Sequence, residues 1–412
     1  MRASKRSLAA PTWRRRAEMS QFLWSRRRPT ENRQTELPRS EHRPIEPGLP
    51  RAVNARGSSS SRPSRIGARA LFVFATILGA AGLSFVPSAA LACACGCAVF
   101  DVGANSAFPN DADSGLSVYF RYNHMDQTEN WAGSSRAPAA YNGDKSIKTD
   151  FFTFGGQYMI THDWGVMVEL PVFHRTLTTT GDGTAYPLGQ VYSSTLTDLG
   201  DLMVQAVYAG FSPDLSTGVS FGLKLPTGNY TGPFIPPNQS ADGANDPTYD
   251  RDSLPGSGST DLLWGIYHVG AVTADGALAY FTQARFQMAV MERAGVTGTY
   301  RPGNELDTGA GLTYNLGAFG ALSKVAPVLQ LIFSDRSSDG GTASNPSSGY
   351  RRLLVAPGID LRAGKVKVYA DVLLPVITNT TAPSASTANI AAGDVGQLVA
   401  PIIWRLQVGY EF

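Results

Sequence analysis

Apolar and polar positions alternate with a period of two over most of the chain beyond residue 114. The segment GLSVYFRYN puts Leu116, Val118, Phe120 and Tyr122 on one parity, and WGVMVELPV does the same with Trp164, Val166, Val168, Leu170 and Val172. GVSFGLKL repeats the pattern through Val219, Phe221, Leu223 and Leu225, ALAYFTQARFQMAV through Leu278, Tyr280, Phe286, Met288 and Val290, and KVKVYADVLLPV through Val366, Val368, Val372, Leu374 and Val376. The last segment sets Ile402, Trp404, Leu406, Val408, Tyr410 and Phe412 against Arg405, Gln407 and Glu411. Weaker copies occupy residues 149–160, 199–211, 260–270, 305–316, 325–334 and 352–361. Side chains on a strand point alternately to its two faces, so this period predicts about twelve strands, each with one greasy and one polar face.

The connections predict how the strands are joined. Short turns (THD, SPDL, TADG, GAFGA, RAGK) alternate with long loops rich in Gly, Ser, Asn, Pro and Asp, centred near residues 135, 186, 242, 297, 342 and 386. Tight turns at one end and long loops at the other are the rhythm of an up-and-down barrel in a bacterial outer membrane. In hydrocarbon every backbone N–H and C=O needs a partner within the protein, so strands can span only if the sheet closes on itself. The fold predicted is therefore all-β: a transmembrane antiparallel up-and-down β-barrel of about 12 strands, preceded by a signal peptide. The final strand is expected to seam against the first. Its apolar parity then faces lipid, and the opposite parity of the whole chain faces the lumen. That lumen-lining set comprises Arg121, Glu169, Asp201, Lys224, Arg285, Glu305, Asp307, Asp360, Lys367, Asp371, Arg405 and Glu411. An outward Lys or Arg at mid-membrane would cost about 2–4 kcal/mol. Around one lumen the two signs can pair across it, narrow the pore and set its selectivity.

Charge divides the chain. Residues 1–69 carry 17 Lys/Arg against 5 Asp/Glu, whereas residues 70–412 carry 18 against 28. At the joint a basic flank precedes an apolar run from Ala70 to Val86 and the small-residue triplet Ala90-Leu91-Ala92. That order is the signature of a secretory signal, and the run is short for a spanning helix. The domain organisation read from this is a basic leader over 1–64 without apolar periodicity, its true start lying downstream, a signal peptide over 65–92, a Cys-containing segment over 93–113 and the barrel over 114–412. The leader's arginines come with no aromatic platform, so no nucleic-acid partner is expected.

Two resemblances add to this reading. A terminal strand ending Tyr410-Glu411-Phe412 resembles the assembly signal of bacterial outer-membrane barrels, in which Tyr410 and Phe412 would be read by the barrel-assembly machinery. The stretch TDLGDLMVQAVYAGF, followed by GVSFGLKLPTGNY and GSGSTDLLWGIYHVG over residues 197–270, resembles the outer-membrane family named for the MetA pathway of phenol degradation, whose members are mostly called transporters. The family name implies aromatic substrates in some members, and no residue here identifies a ligand.

Candidate chemistry is sparse. Cys93, Cys95 and Cys97 are the only cysteines, an odd number in an oxidising compartment. They could form one bridge with a thiol left over, or hold a soft metal such as Cu(I) or Zn(II) with a distant fourth ligand; a structural or processing role is the plainer reading. GVSFG matches G-x-S-x-G, but Ser220 falls mid-strand rather than at a strand-to-helix turn, so small lumen-facing residues explain it better. His124, His162, His174 and His268 fall near strand ends, as interfacial histidines; a barrel phospholipase would need one of them beside a serine. The acidic loop NDPTYDRDSLPG lacks the terminal Glu of a calcium loop and reads as solvated. No cofactor motif or catalytic set is visible. The function read from the sequence is a passive channel or transporter for small solutes, hydrophobic or aromatic ones included, with outer-membrane lipid and lipopolysaccharide as surroundings and residues 93–113 as a candidate plug. A metal- or redox-linked envelope protein using the cysteines is the alternative.

Overall fold

A computed structural model describes residues 115–181, 186–236, 251–295, 298–342 and 347–412. The leader, the signal segment and the Cys93–Cys97 segment lie outside the described residues. The wall has twelve staves: β1 (Gly115–Gln127), β2 (Asp144–Met159), β3 (Trp164–Thr180), β4 in two parts (Val191–Leu199 and Leu202–Tyr208), β5 (Thr217–Leu225), β6 (Ser259–Ala271), β7 (Leu278–Glu292), β8 (Glu305–Tyr314), β9 (Lys324–Arg336), β10 (Tyr350–Ala363), β11 (Val366–Thr380) and β12 (Ile403–Glu411). Each pairs antiparallel with its sequence neighbours, and β12 pairs with β1 from Ser117↔Glu411 to Met125↔Ile403, which closes the sheet.

Closure fixes the two faces. On β12 Trp404, Leu406, Val408 and Tyr410 are exposed, while Arg405 is buried. Tyr158, Trp164, Phe211, Tyr314, Phe319, Tyr410 and Phe412 are exposed near the short-turn end. They form the aromatic girdle that such barrels place at a membrane interface, where a ring's apolar body and polar edge meet two solvents.

The fourth stave breaks at Gly200–Asp201. Opposite the break stands Pro171, which has no N–H to give the ladder and instead accepts from Gly200 N at 2.8 Å. Because β5 ends at Leu225, the outer part of β4 lacks a strand partner on that side. The chain after β5 takes that place, with Asn229 N donating to Leu199 O at 3.3 Å and Ile235 N to Ser194 Oγ at 2.9 Å. Gly200, Gly228 and Gly256 meet backbone to backbone there. A Cβ on Gly256 would lie 2.3 Å from the Gly228 carbonyl carbon.

The inward parity is not uniformly polar, and here the sequence expectation needs correction. Met125, Phe151, Ile332, Tyr350, Leu354, Leu373 and Ile403 form a buried apolar cluster drawn from β1, β2 and β9–β12. These residues sit where strict alternation gives way to consecutive apolar residues, as in FF, LIF, LLV and VLL. A strand with apolar groups on both faces belongs where both faces are dry. The long loops are packed as well. Glu129–Ala132 pairs with Ser135–Arg136 and, from the β11–β12 connection, with Gln397–Val399. Phe234, Leu254, Leu398 and Tyr186 from the loops cluster with Ile147 and Leu177 of the wall.

Candidate functional site

Asp201 lies in the break of β4, and the other residues expected to line the lumen sit on the strand parity opposite the exposed apolar one. Arg121, Glu169, Asp201, Asp307, Asp371 and Arg405 are buried, Arg285 and Lys367 half-buried, and Lys224 retains 12% side-chain exposure. Pairing runs chiefly along the wall rather than across the lumen. Asp371 accepts from Arg405 Nε on the neighbouring strand at 2.8 Å, from Tyr369 Oη at 2.6 Å and from Gln330 Nε2 at 2.8 Å. Lys224 Nζ lies 2.7 Å from Asp261 and 3.6 Å from Asp201. Asp261 also accepts from Gln287 at 2.6 Å and Ser259 at 2.5 Å. Lys324 pairs with Asp360 at 2.8 Å, and Arg362 at 2.6 Å and Lys367 both pair with Glu411. Two pairs reach over an intervening strand: Arg362–Glu411 over β11 and Arg121–Glu169, at 3.2 Å, over β2; Tyr119 also donates to that Glu169. Side chains facing each other on adjacent strands are already about 5 Å apart at Cβ, so a cross-strand ion pair forms without either partner extending into the lumen.

Between the wall and the folded loops lies a cavity of about 130 Å³. Five cations line it, Arg175, Lys224, Arg251, Arg285 and Arg336, against three carboxylates, Asp201, Asp252 and Glu305. Most of these charges are engaged. Asp201, released inward by the break in β4, accepts from Gly228 N at 3.0 Å and from Ser257 N and Oγ at 2.9 and 2.6 Å. Arg336 pairs with Asp339 at 2.5 Å, and Arg175 Nε donates to Thr149 at 2.9 Å. Tyr350 donates to Glu305 at 2.9 Å.

Arg251 differs. It opens a single helical turn, Arg251–Ser253, and is only 5% exposed. Its guanidinium packs on the rings of Tyr230 and Tyr300, at 5.1 and 5.2 Å from their centroids. Its hydrogen bonds go to the carbonyls of Ser257 at 3.0 Å and Gly298 at 3.4 Å, and its Nε is buried without a partner. Among the described residues no carboxylate pairs with it, and burial holds its pKa below the ordinary arginine value. Tyr300 is fixed in turn, its hydroxyl donating to Asp339 at 3.0 Å; burial pushes that phenol well above its usual value, with Asp339 acting in the same direction.

The remaining candidates fall into place around this. Ser220 donates to Gln205 at 3.1 Å on the inward face. Beside it, Gly218 leaves room for the Tyr267 ring, whose atoms would lie 2.5 Å from a Cβ at that position. His124 bonds Asp150 at 2.7 Å, His174 bonds Thr197 at 2.7 Å, and His268 bonds Thr217 at 2.7 Å and Tyr280 at 2.9 Å, all on the outward face. No group of metal-ligating side chains occurs among the described residues, and Cys93, Cys95 and Cys97 are not among them. Tyr410 and Phe412 lie on the lipid-facing side with ring centroids 4.8 Å apart.

No protein-family profile and no curated protein matches the sequence. The fold is similar to that of an outer-membrane channel from Pseudomonas putida F1, with 10% identity, a TM-score of 0.53, and coverage of 76% of this chain and 100% of that one. The chain is a closed twelve-stranded antiparallel β-barrel. Looser likeness links the barrel to the beta domain of the Bordetella autotransporter Brka (12% identity, TM-score 0.41, 73% and 100% covered) and to the CymD monoaromatic hydrocarbon channel (10% identity, TM-score 0.35, 76% and 94% covered).

Sequence reasoning passed over Arg251 and treated the adjacent Asp252 as solvated loop acid; in the barrel Asp252 is 8% exposed. An Arg between two Asp in a polar loop carries the signature of a solvated segment. The local signal pointing the other way was the apolar Leu254-Pro255 that follows, which pulls the segment inward.

Proposed function

We propose that this barrel is a passive channel for small solutes across the outer membrane, apolar or aromatic ones included. The observation that carries the reading is an interior holding both a buried network of charged side chains and apolar groups around a cavity of about 130 Å³, inside a closed wall. Charged groups facing a lumen discriminate among permeants by sign, and apolar ones such as Phe173 and Leu254 favour a greasy body. The fold shared with the Pseudomonas putida channel supports the reading. The test is planar-bilayer conductance together with liposome swelling, using protein extracted from outer membranes. Discrete conductance steps and solute-dependent swelling are expected; protein that is folded yet silent in both assays removes the channel.

A further inference from the structure

We propose that the cavity beside Arg251 is a binding site for a small organic monocarboxylate with a single-ring or similarly compact apolar body, the carboxylate meeting the Arg251 guanidinium. The inference rests on the channel reading, since it names the class of solute that would pause in the lumen. Arg251 is 5% exposed, has no carboxylate partner among the described residues and carries a buried Nε without a hydrogen bond. Its neighbour Asp252 lines the same cavity without forming an ion pair to it.

A buried cation is costly unless paired, and a guanidinium has five donors of which only a few are used here. A carboxylate would satisfy what the protein leaves open, and the planar fork suits it. The other lining cations are less available. Lys224 and Arg336 are neutralised by Asp261 and Asp339, Arg175 donates to Thr149 and to the Ser253 carbonyl, and Arg285 donates to Gln287.

The apolar part of the ligand has a place too. Phe173, Leu254, Pro255 and Pro302 line the same space. A cavity of about 150 Å³ takes benzene, and this one, at about 130 Å³, is close to that size. Tyr230 and Tyr300 pack against the guanidinium, so it meets an incoming carboxylate with little side-chain entropy left to lose.

The experiment is calorimetric titration of the full barrel in detergent with benzoate, benzyl alcohol and benzylamine, repeated on Arg251→Gln, with folding of the variant checked by heat-modifiable migration. Saturable benzoate binding is expected, at least ten-fold tighter than either analogue, with the advantage lost in Arg251→Gln. Equal affinity for the three probes in wild type, or benzoate binding unchanged in a folded Arg251→Gln, overturns the site. The three-probe comparison needs no variant, so it decides the matter even if Arg251→Gln does not fold. Conductance and swelling on the same preparations separate the two readings: binding without permeation removes the channel and leaves the site, while permeation without saturable benzoate binding removes the site and leaves the channel.

Discussion

Asp371 and Arg405 are register partners on β11 and β12, both nearly inaccessible to solvent, and β12 lies directly beside β1, which carries Arg121 of the Arg121–Glu169 pair. Each member of such a pair is tolerable only because the other is there, so Asp371→Ala should cost about 3–5 kcal/mol, much of it the penalty of a stranded Arg405. Replacing both, as Asp371→Leu with Arg405→Met, should recover most of that loss. Urea unfolding of the single and double variants in lipid vesicles checks it; equal destabilisation by both would show that the pair contributes more than mutual neutralisation. That these two residues face inward was legible from their parity alone. Their choice of each other was not, because a period of two says which side a residue faces and nothing about which neighbouring strand lies beside it. Arg251 shows the harder case: in a loop there is no period to read, and composition pointed outward.

At the scale of elements, outward and inward positions on the same strand should respond oppositely to charge. Leu329 on β9 is 54% exposed, on the side that meets lipid, and Leu329→Lys should destabilise the barrel by about 2–4 kcal/mol at mid-membrane. Folding titrations into bilayers measure this directly, and a neutral result would contradict the assigned parity. The broken stave offers a second test. Because the groups nearest a Cβ on Gly256 are Gly228 backbone atoms at 2.3 and 2.4 Å, Gly256→Ala has no flexible side chain to push aside. It should loosen the join between β4 and β6, costing on the order of 1–3 kcal/mol, with faster proteolysis of the loop after Leu225 as the readout. Strands with clean alternation, such as β1 and β12, were readable almost residue by residue. The break at Gly200–Asp201 was not, since its cause, Pro171, lies on the adjacent strand.

For the whole molecule, the departure from a simple polar lumen matters most. Leu354 is fully buried at the centre of the apolar cluster that joins β1 and β2 with β9–β12. Leu354→Ala should therefore cost about 2–5 kcal/mol, the range for a large side chain removed from a packed interior; a loss below 1 kcal/mol in equilibrium unfolding would mean that the inner cluster is loosely packed. The packed loops make the same point, since Phe234, Leu254 and Leu398 come from two different connections and meet only when the barrel is assembled.

The amino-acid order by itself determined the strands, their number, the face each side chain takes and the alternation of short and long connections, because lipid outside and a protein interior within impose a strict two-residue period on any spanning strand. Only the tertiary structure decided which charges pair, where apolar groups fill the inner side and which buried cation has no carboxylate partner among the described residues. Those outcomes depend on distances between strands and loops far apart in the chain, and a local pattern holds no information about such distances until the sheet has closed.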